Sequence, residues 1–203
     1  METRISIFGD SITWGSWDPE KGGWVARLRH YLETTTNNGD IDVYNLGVSG
    51  DTTTDLLIRF KTECLARSRR PQTIIFAIGT NDSQYMNDIG QMRTTIAQFE
   101  NNLIALINQA KQFSDKIIFI GLTKVDENKT KPMSWMPEKC YTNDNIKTYN
   151  AVIENISRDN HLKFIDLMDV LDMDDLYDGL HPNANGHEKI FLKVKEAVLT
   201  AHG

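Results

Sequence analysis

Residues 73–82, Thr-Ile-Ile-Phe-Ala-Ile-Gly-Thr-Asn-Asp, decide the fold. The first six are apolar or β-branched without interruption, which indicates a strand covered on both faces, as in a parallel sheet between two layers of helices. The last four are glycine and small polar residues. The stretch therefore predicts a central parallel strand that ends in a polar loop.

Four other stretches have the same apolar character and predict further strands: residues 4–8, 41–46, 116–122 and 162–165. Helical spacing separates them, with apolar residues grouped at residues 24–32, 57–64 and 146–156. The longest helical pattern runs from Ile89 to Phe113, and Asp88 with Gln91 resembles a capping box at its start. The last helix is expected to start at Asn185, with Glu188 at the capping-box position.

Strands and helices that alternate five times predict a doubly wound α/β/α sandwich with a five-stranded parallel sheet, as in flavodoxin-like folds. No repeat or linker interrupts the chain, so we expect one domain over residues 1–203. In such sheets the functional loops follow the carboxyl ends of the strands.

The composition argues against several classes of function. The 203 residues carry a net charge of −6, which argues against a nucleic-acid or anionic-membrane partner. Apolar runs stay far below the roughly 20 residues of a membrane span. The opening Met-Glu-Thr-Arg does not resemble a secretion signal, so we expect a cytoplasmic protein. Cys64 and Cys140 form no CxxC pair and are expected to be idle thiols.

Four short polar motifs follow one another along the chain: Gly9–Gly15 (GDSITWG), Asn45–Thr52 (NLGVSGDT), Gly79–Asp82 (GTND) and Asp178–Pro182 (DGLHP). Three of them come directly after predicted strands. Each is short enough to occur by chance, but four in this order form a specific signal.

The chain resembles the GDSL esterase/lipase family, also called SGNH hydrolases, from Ile5 to Val198. The first motif reads GDSI rather than GDSL, which keeps an aliphatic residue in the fourth place. The resemblance implies that Ser11 is the nucleophile and that Asp178 and His181 complete a catalytic triad. It also implies that Gly50 and Asn81 contribute to the oxyanion hole.

The residue chemistry supports the same roles. A serine needs a base to accept its proton, and His181 is the one histidine with a carboxylate three residues before it and a proline after it. The Asp178 carboxylate can accept from Nδ1, which leaves Nε2 to accept the serine proton. Backbone N–H groups of Ser11 and Gly50, with the Asn81 amide, can stabilise the tetrahedral intermediate.

Other polar residues are weaker candidates for catalysis or metal binding. Ser49 lies in a sequence like the G-x-S-x-G elbow, but Asp51 replaces the last glycine. Asp82 is expected to brace its loop, and His187 to sit beside a helix cap. Six aspartates between residues 166 and 178 lack EF-hand spacing, so we expect a solvated acidic loop and no metal site.

One long loop indicates where the substrate pocket lies. The long loop of residues 123–141 contains Trp135 between two methionines, and we expect it to line or cover the acyl or alcohol pocket together with Trp14 and Trp17. The alternative is that these aromatic residues only pin the loop to the sandwich.

The sequence predicts a cofactor-independent serine esterase acting on a small-molecule ester: a short acyl ester, an acetylated sugar or a small lipid ester. The same triad also suits an acyltransferase or a thioesterase. From another class, the fold suits a non-catalytic FMN-binding module.

Overall fold

A computed structural model describes residues 3–35, 41–67 and 72–200. Five strands form one parallel sheet: β1 (Thr3–Gly9), β2 (Ile41–Gly47), β3 (Gln72–Ala77), β5 (Lys116–Ile120) and β7 (Lys163–Ile165), with β4 (Tyr85–Met86) and β6 (Lys139–Cys140) paired antiparallel outside it. The order across the sheet is β2-β1-β3-β5-β7. The predicted α/β/α sandwich is confirmed, and the predicted strands agree with the observed ones to within two residues.

Helices cover both faces of the sheet. The helices are α1 (Ser11–Trp14), α2 (Gly23–Thr35), α3 (Thr53–Arg67), α4 (Ile96–Ala110), α5 (Glu127–Thr130), α6 (Asn143–Asp159) and α7 (Ala184–Thr200), with a 3₁₀ turn at Met173–Asp175. Helices α3, α4 and α6 pack on one face, and α2 and α7 on the other. None of the helices in the described ranges has the length and hydropathy of a membrane span.

Side chains of successive residues in the central strands point to opposite faces of the sheet and form the two halves of the core. Phe8, Phe76 and Phe119 lie side by side in the register of β1, β3 and β5 and are fully buried under α3, α4 and α6. Their neighbours in sequence, among them Ile7 and Ile75, point to the opposite face and pack under α2 and α7. Burial of large apolar side chains on both faces explains why these strands read as uninterrupted apolar runs.

The predicted start of α4 is wrong, and the start of α7 agrees to within one residue but has a different cap. Helix α4 begins at Ile96 with Thr95 as its cap, not at Asp88, because Ile89 is exposed and the N–H of Gln91 closes a turn onto the carbonyl of Asp88. Helix α7 begins one residue before Asn185. Its cap is formed by Asn183, whose side-chain oxygen accepts from the N–H groups of Asn185 and Gly186.

Candidate active site

Ser11 occupies a tight turn between β1 and α1. The strand ends at Gly9, where an added Cβ would lie 2.4 Å from the carbonyl oxygen of Ala77, so only glycine fits. Asp10 then caps α1 by accepting from the N–H of Ile12 at 2.9 Å. As the first residue of α1, Ser11 sits at the carboxyl edge of the sheet with 8% of its surface exposed.

The motif before α7 brings its histidine to that serine. Ser11 Oγ lies 2.9 Å from His181 Nε2, although the two residues are 170 positions apart. On the other side of the ring, His181 Nδ1 lies 2.7 Å from Asp178 Oδ2. The backbone is fixed as well, since the N–H of Tyr177 donates to the carbonyl of His181 at 2.8 Å.

The hydrogen bonds set the direction of proton transfer. A carboxylate only accepts, so Nδ1 of His181 carries the hydrogen and Nε2 is free to accept from the Ser11 hydroxyl. Burial alone would raise the pKa of Asp178, but hydrogen bonds from the ring and backbone of His181 and from the N–H of Leu180 outweigh it and lower that pKa. Asp178 therefore stays ionised and holds the ring of His181 in the tautomer that leaves Nε2 as the acceptor.

The second and third motifs meet beside Ser11. Gly50 is the third residue of a turn closed by the Asp51 N–H on the Val48 carbonyl, and its φ of +87° favours glycine. The side-chain amide of Asn81 donates to the Asp51 carbonyl at 3.0 Å. Ser11, Gly50 and Asn81 thus border one cleft, as the sequence predicts for donors to a tetrahedral intermediate.

The cleft has a volume of about 860 Å³ and a largely apolar wall. Trp14 and Trp135, the two expected substrate contacts, both line it, together with Trp17 from the loop after α1. Each of these tryptophans is about half exposed. Met133 and Met136 complete the wall, so the loop of residues 123–141 lines the cleft as expected.

Several residues that support the site were not singled out from the sequence. Arg59 of α3 joins the first two motifs, since its guanidinium contacts Asp51 Oδ2 at 2.7 Å and the Gly9 carbonyl at 3.2 Å. Arg93 donates to the Gly50 carbonyl at 3.0 Å. Burial raises the pKa of Asp10 to about 6. These contacts join distant parts of the chain, and no local spacing indicates them.

Three of the other expectations have clear outcomes. Asp82 braces its loop by accepting from the N–H and hydroxyl of Thr53. Ser49 is exposed, and its hydroxyl is not the one that meets His181. His187 lies beside the cap of α7, as expected, because its N–H donates to the carbonyl of the capping residue Asn183. Its ring is fully buried, with Nε2 2.9 Å from the Ser16 carbonyl, and burial lowers its pKa.

The acidic segment before His181 is only partly solvated. Four of its six aspartates are exposed, but Asp175 is buried and pairs with Lys189 at 2.6 Å, while Asp178 faces His181. Within the described ranges, no cluster of three or more His, Cys, Asp or Glu side chains is arranged to hold a metal ion.

The chain is similar in sequence to known proteins. A family model described as GDSL-like Lipase/Acylhydrolase family matches residues 7–189. An uncharacterized lipoprotein of Bacillus subtilis is 32% identical over 132 residues, which are 63% of this chain but only 51% of that protein. An acetylxylan esterase of Geobacillus stearothermophilus is 24% identical over 204 residues, covering 91% of this chain and 88% of that protein.

A solved structure extends the similarity to the fold. The lipase/acylhydrolase from Enterococcus faecalis superposes with a TM-score of 0.77 and 26% identity, over 96% of this chain and 94% of its own. Because the family model covers the chain from within β1 to within α7, the protein belongs to the GDSL-like lipase/acylhydrolase family and is an ester-hydrolysing enzyme.

Proposed function

We propose that the protein is a serine esterase that forms an acyl-enzyme on Ser11. The observation that carries the proposal is the continuous hydrogen-bonded chain from the Ser11 hydroxyl through His181 to Asp178, at the wall of a cleft large enough for a small ester. This geometry joins a nucleophile, a base and a group that orients the base.

In the proposed reaction, Ser11 Oγ attacks the ester carbonyl while its proton passes to His181 Nε2. Negative charge develops on the carbonyl oxygen, where the N–H groups of Ser11 and Gly50 and the Asn81 amide can donate to it. His181 then gives the proton to the leaving alcohol, and an acyl-enzyme remains. Water then attacks the acyl carbonyl while His181 Nε2 accepts its proton. The bond between Ser11 Oγ and the acyl carbon breaks, His181 returns the proton to Oγ, and the carboxylic acid leaves.

As the substrate, we propose an acetylated carbohydrate, in which a sugar is the alcohol part of the ester. Two observations support this choice: the relative from Geobacillus is an acetylxylan esterase, and three half-exposed tryptophans surround the cleft. Indole faces offer flat apolar surface with a polar N–H at the edge, which suits the mixed apolar and hydroxylated faces of a sugar ring. A short acyl ester of a lipid is the competing substrate.

A panel of esters tests both parts of the proposal. Ser11→Ala is expected to remove nearly all hydrolysis of p-nitrophenyl acetate with a nearly unchanged thermal midpoint, while Ser49→Ala, the control, keeps turnover within a few fold. Acetylated sugars should then be cleaved with higher kcat/KM than alkyl esters of the same acid. Full activity of Ser11→Ala would reject the mechanism, and a preference for long alkyl esters would reject the carbohydrate.

The same acyl-enzyme could pass its acyl group to another alcohol or arise from a thioester, so acyltransferase and thioesterase activity remain the alternatives to test with the same variants. The cytoplasmic location and the absence of a nucleic-acid partner stay predictions.

A further inference from the structure

Tyr141 contacts the amide that would stabilise the developing negative charge. Its hydroxyl lies 3.1 Å from Asn81 Oδ1, its ring is buried, and it borders the same cleft. Tyr141 closes the long loop of residues 123–141 and belongs to none of the four motifs. We propose that Tyr141 is a positioning residue for the oxyanion hole, which fixes and polarises the Asn81 amide; this inference rests on the proposed function.

The hydrogen bonds around Asn81 determine which way its amide points. The carbonyl of Asp51 can only accept, so the group 3.0 Å from it must be the NH₂ of Asn81. Oδ1 then faces Tyr141, whose hydroxyl must be the donor. One hydrogen of the NH₂ is held by Asp51, and the other is left for a substrate oxygen.

The donated hydrogen bond also changes the strength of the amide as a donor. A donor on Oδ1 draws electron density from the amide, so its N–H groups bind an anionic oxygen more strongly. Burial raises the pKa of Tyr141, so the hydroxyl keeps its proton throughout the neutral and mildly alkaline range. Tyr141 is thus a permanent donor.

The backbone around Tyr141 is held on both sides. Its N–H donates to the Thr130 carbonyl at 2.9 Å, and its carbonyl accepts from the Thr130 hydroxyl at 3.2 Å. The next residue, Thr142, caps α6. A hydroxyl fixed in this way can hold the Asn81 amide ready before the substrate arrives, which is the condition for electrostatic catalysis.

Tyr141→Phe tests the inference because it removes the hydroxyl and keeps the ring. We expect kcat to fall roughly tenfold with KM within about twofold, a smaller loss than the ~10²–10³ that follows removal of a whole oxyanion donor. The matched control is Tyr149→Phe, since Tyr149 is also buried but its hydroxyl donates to the Thr94 carbonyl and not to Asn81. All rates are compared well below the lowest thermal midpoint of the set.

A double-mutant cycle separates positioning from a general structural effect. In the Asn81→Ala background, Tyr141→Phe should change kcat by less than about twofold, because the group that it acts on is gone. An unchanged kcat in Tyr141→Phe, or an equal loss in both backgrounds, would overturn the inference. Failure of the proposed function looks different, since turnover would then survive Ser11→Ala.

Discussion

Asp10 lies directly before the serine and has a buried carboxyl group. Desolvation raises its pKa from 3.8 to about 6, and the hydrogen bond from the Ile12 N–H only partly opposes this. Between these two pH values the folded protein holds a proton that the unfolded chain has lost. The free energy of unfolding therefore falls as pH rises through about 6.

This linkage predicts that Asp10→Asn stabilises the protein more at high pH than at low pH. The neutral amide can still accept from Ile12, while the wild-type carboxyl must ionise in its buried position above pH about 6. Relative to wild type, the variant should gain about 2 kcal/mol more at pH 8 than at pH 4, measured by urea unfolding.

The control is Asp88→Asn, which removes the same charge at an exposed position. The prediction is wrong if Asp10→Asn changes the free energy of unfolding by the same amount as Asp88→Asn at both pH values, or stabilises the protein more at pH 4 than at pH 8.

Among the helices, Arg27 links three segments on the face of the sheet that α2 and α7 cover. From α2 it pairs with Asp18 in the loop that carries Trp17, with Glu188 of α7 at 2.8 Å, and with the Ala184 carbonyl at 3.1 Å. Arg27 and Asp18 are both buried. The hydrogen bonds of Arg27 hold the Asp18 pKa low against the effect of burial, so this carboxylate stays ionised.

Arg27→Met should therefore cost about 3–5 kcal/mol of the free energy of unfolding, because it leaves a buried carboxylate without its cation. For a chain of this length each kcal/mol corresponds to roughly 2–4 °C in Tm. Arg29→Met is the control on the same helix, since Arg29 and Glu33 form an exposed pair, and we expect about 0–1 kcal/mol from it. Equal losses for the two variants would contradict this account, which scanning calorimetry can decide.

The strands and helices also show which features can be predicted from local sequence. The central strands were predictable because their residues are apolar on both faces, a property that each strand carries in its own sequence. The start of α4 was not, because Ile89 and Met92 continue the helical spacing by coincidence. In the fold those residues belong to a turn and to a bridge between Tyr85 and Met92 that leaves Ile89 exposed.

For the whole molecule, the sheet order decides what the sequence motifs can do. With the order β2-β1-β3-β5-β7, the loops after β1, β2 and β3 leave neighbouring positions of one edge, and the segment before α7 reaches the same place. The same order serves flavin-binding proteins. Membership of the GDSL-like lipase/acylhydrolase family favours an ester hydrolase over a flavin-binding module. The contact between Ser11 and His181 is the physical basis for hydrolysis.

The parts of the site that escaped sequence analysis depend on this convergence. Ser11, His181 and Asn81 were found because each lies in a short motif with recognisable chemistry. Tyr141 and Arg59 lie in ordinary surroundings, and their roles come from contacts with residues 60 and 50 positions away. Contacts of that kind are set by the path of the loops, which no local pattern specifies.

The central claim is that Ser11 is made nucleophilic by His181 across 170 positions of chain. The most direct test is to treat the folded protein with a fluorophosphonate and to locate the adduct by peptide mass. We expect one adduct, on Ser11, whose rate of formation falls by several orders of magnitude in His181→Ala and is unchanged in Ser49→Ala. An adduct on another residue, or labelling of Ser11 at the same rate without His181, would contradict the account.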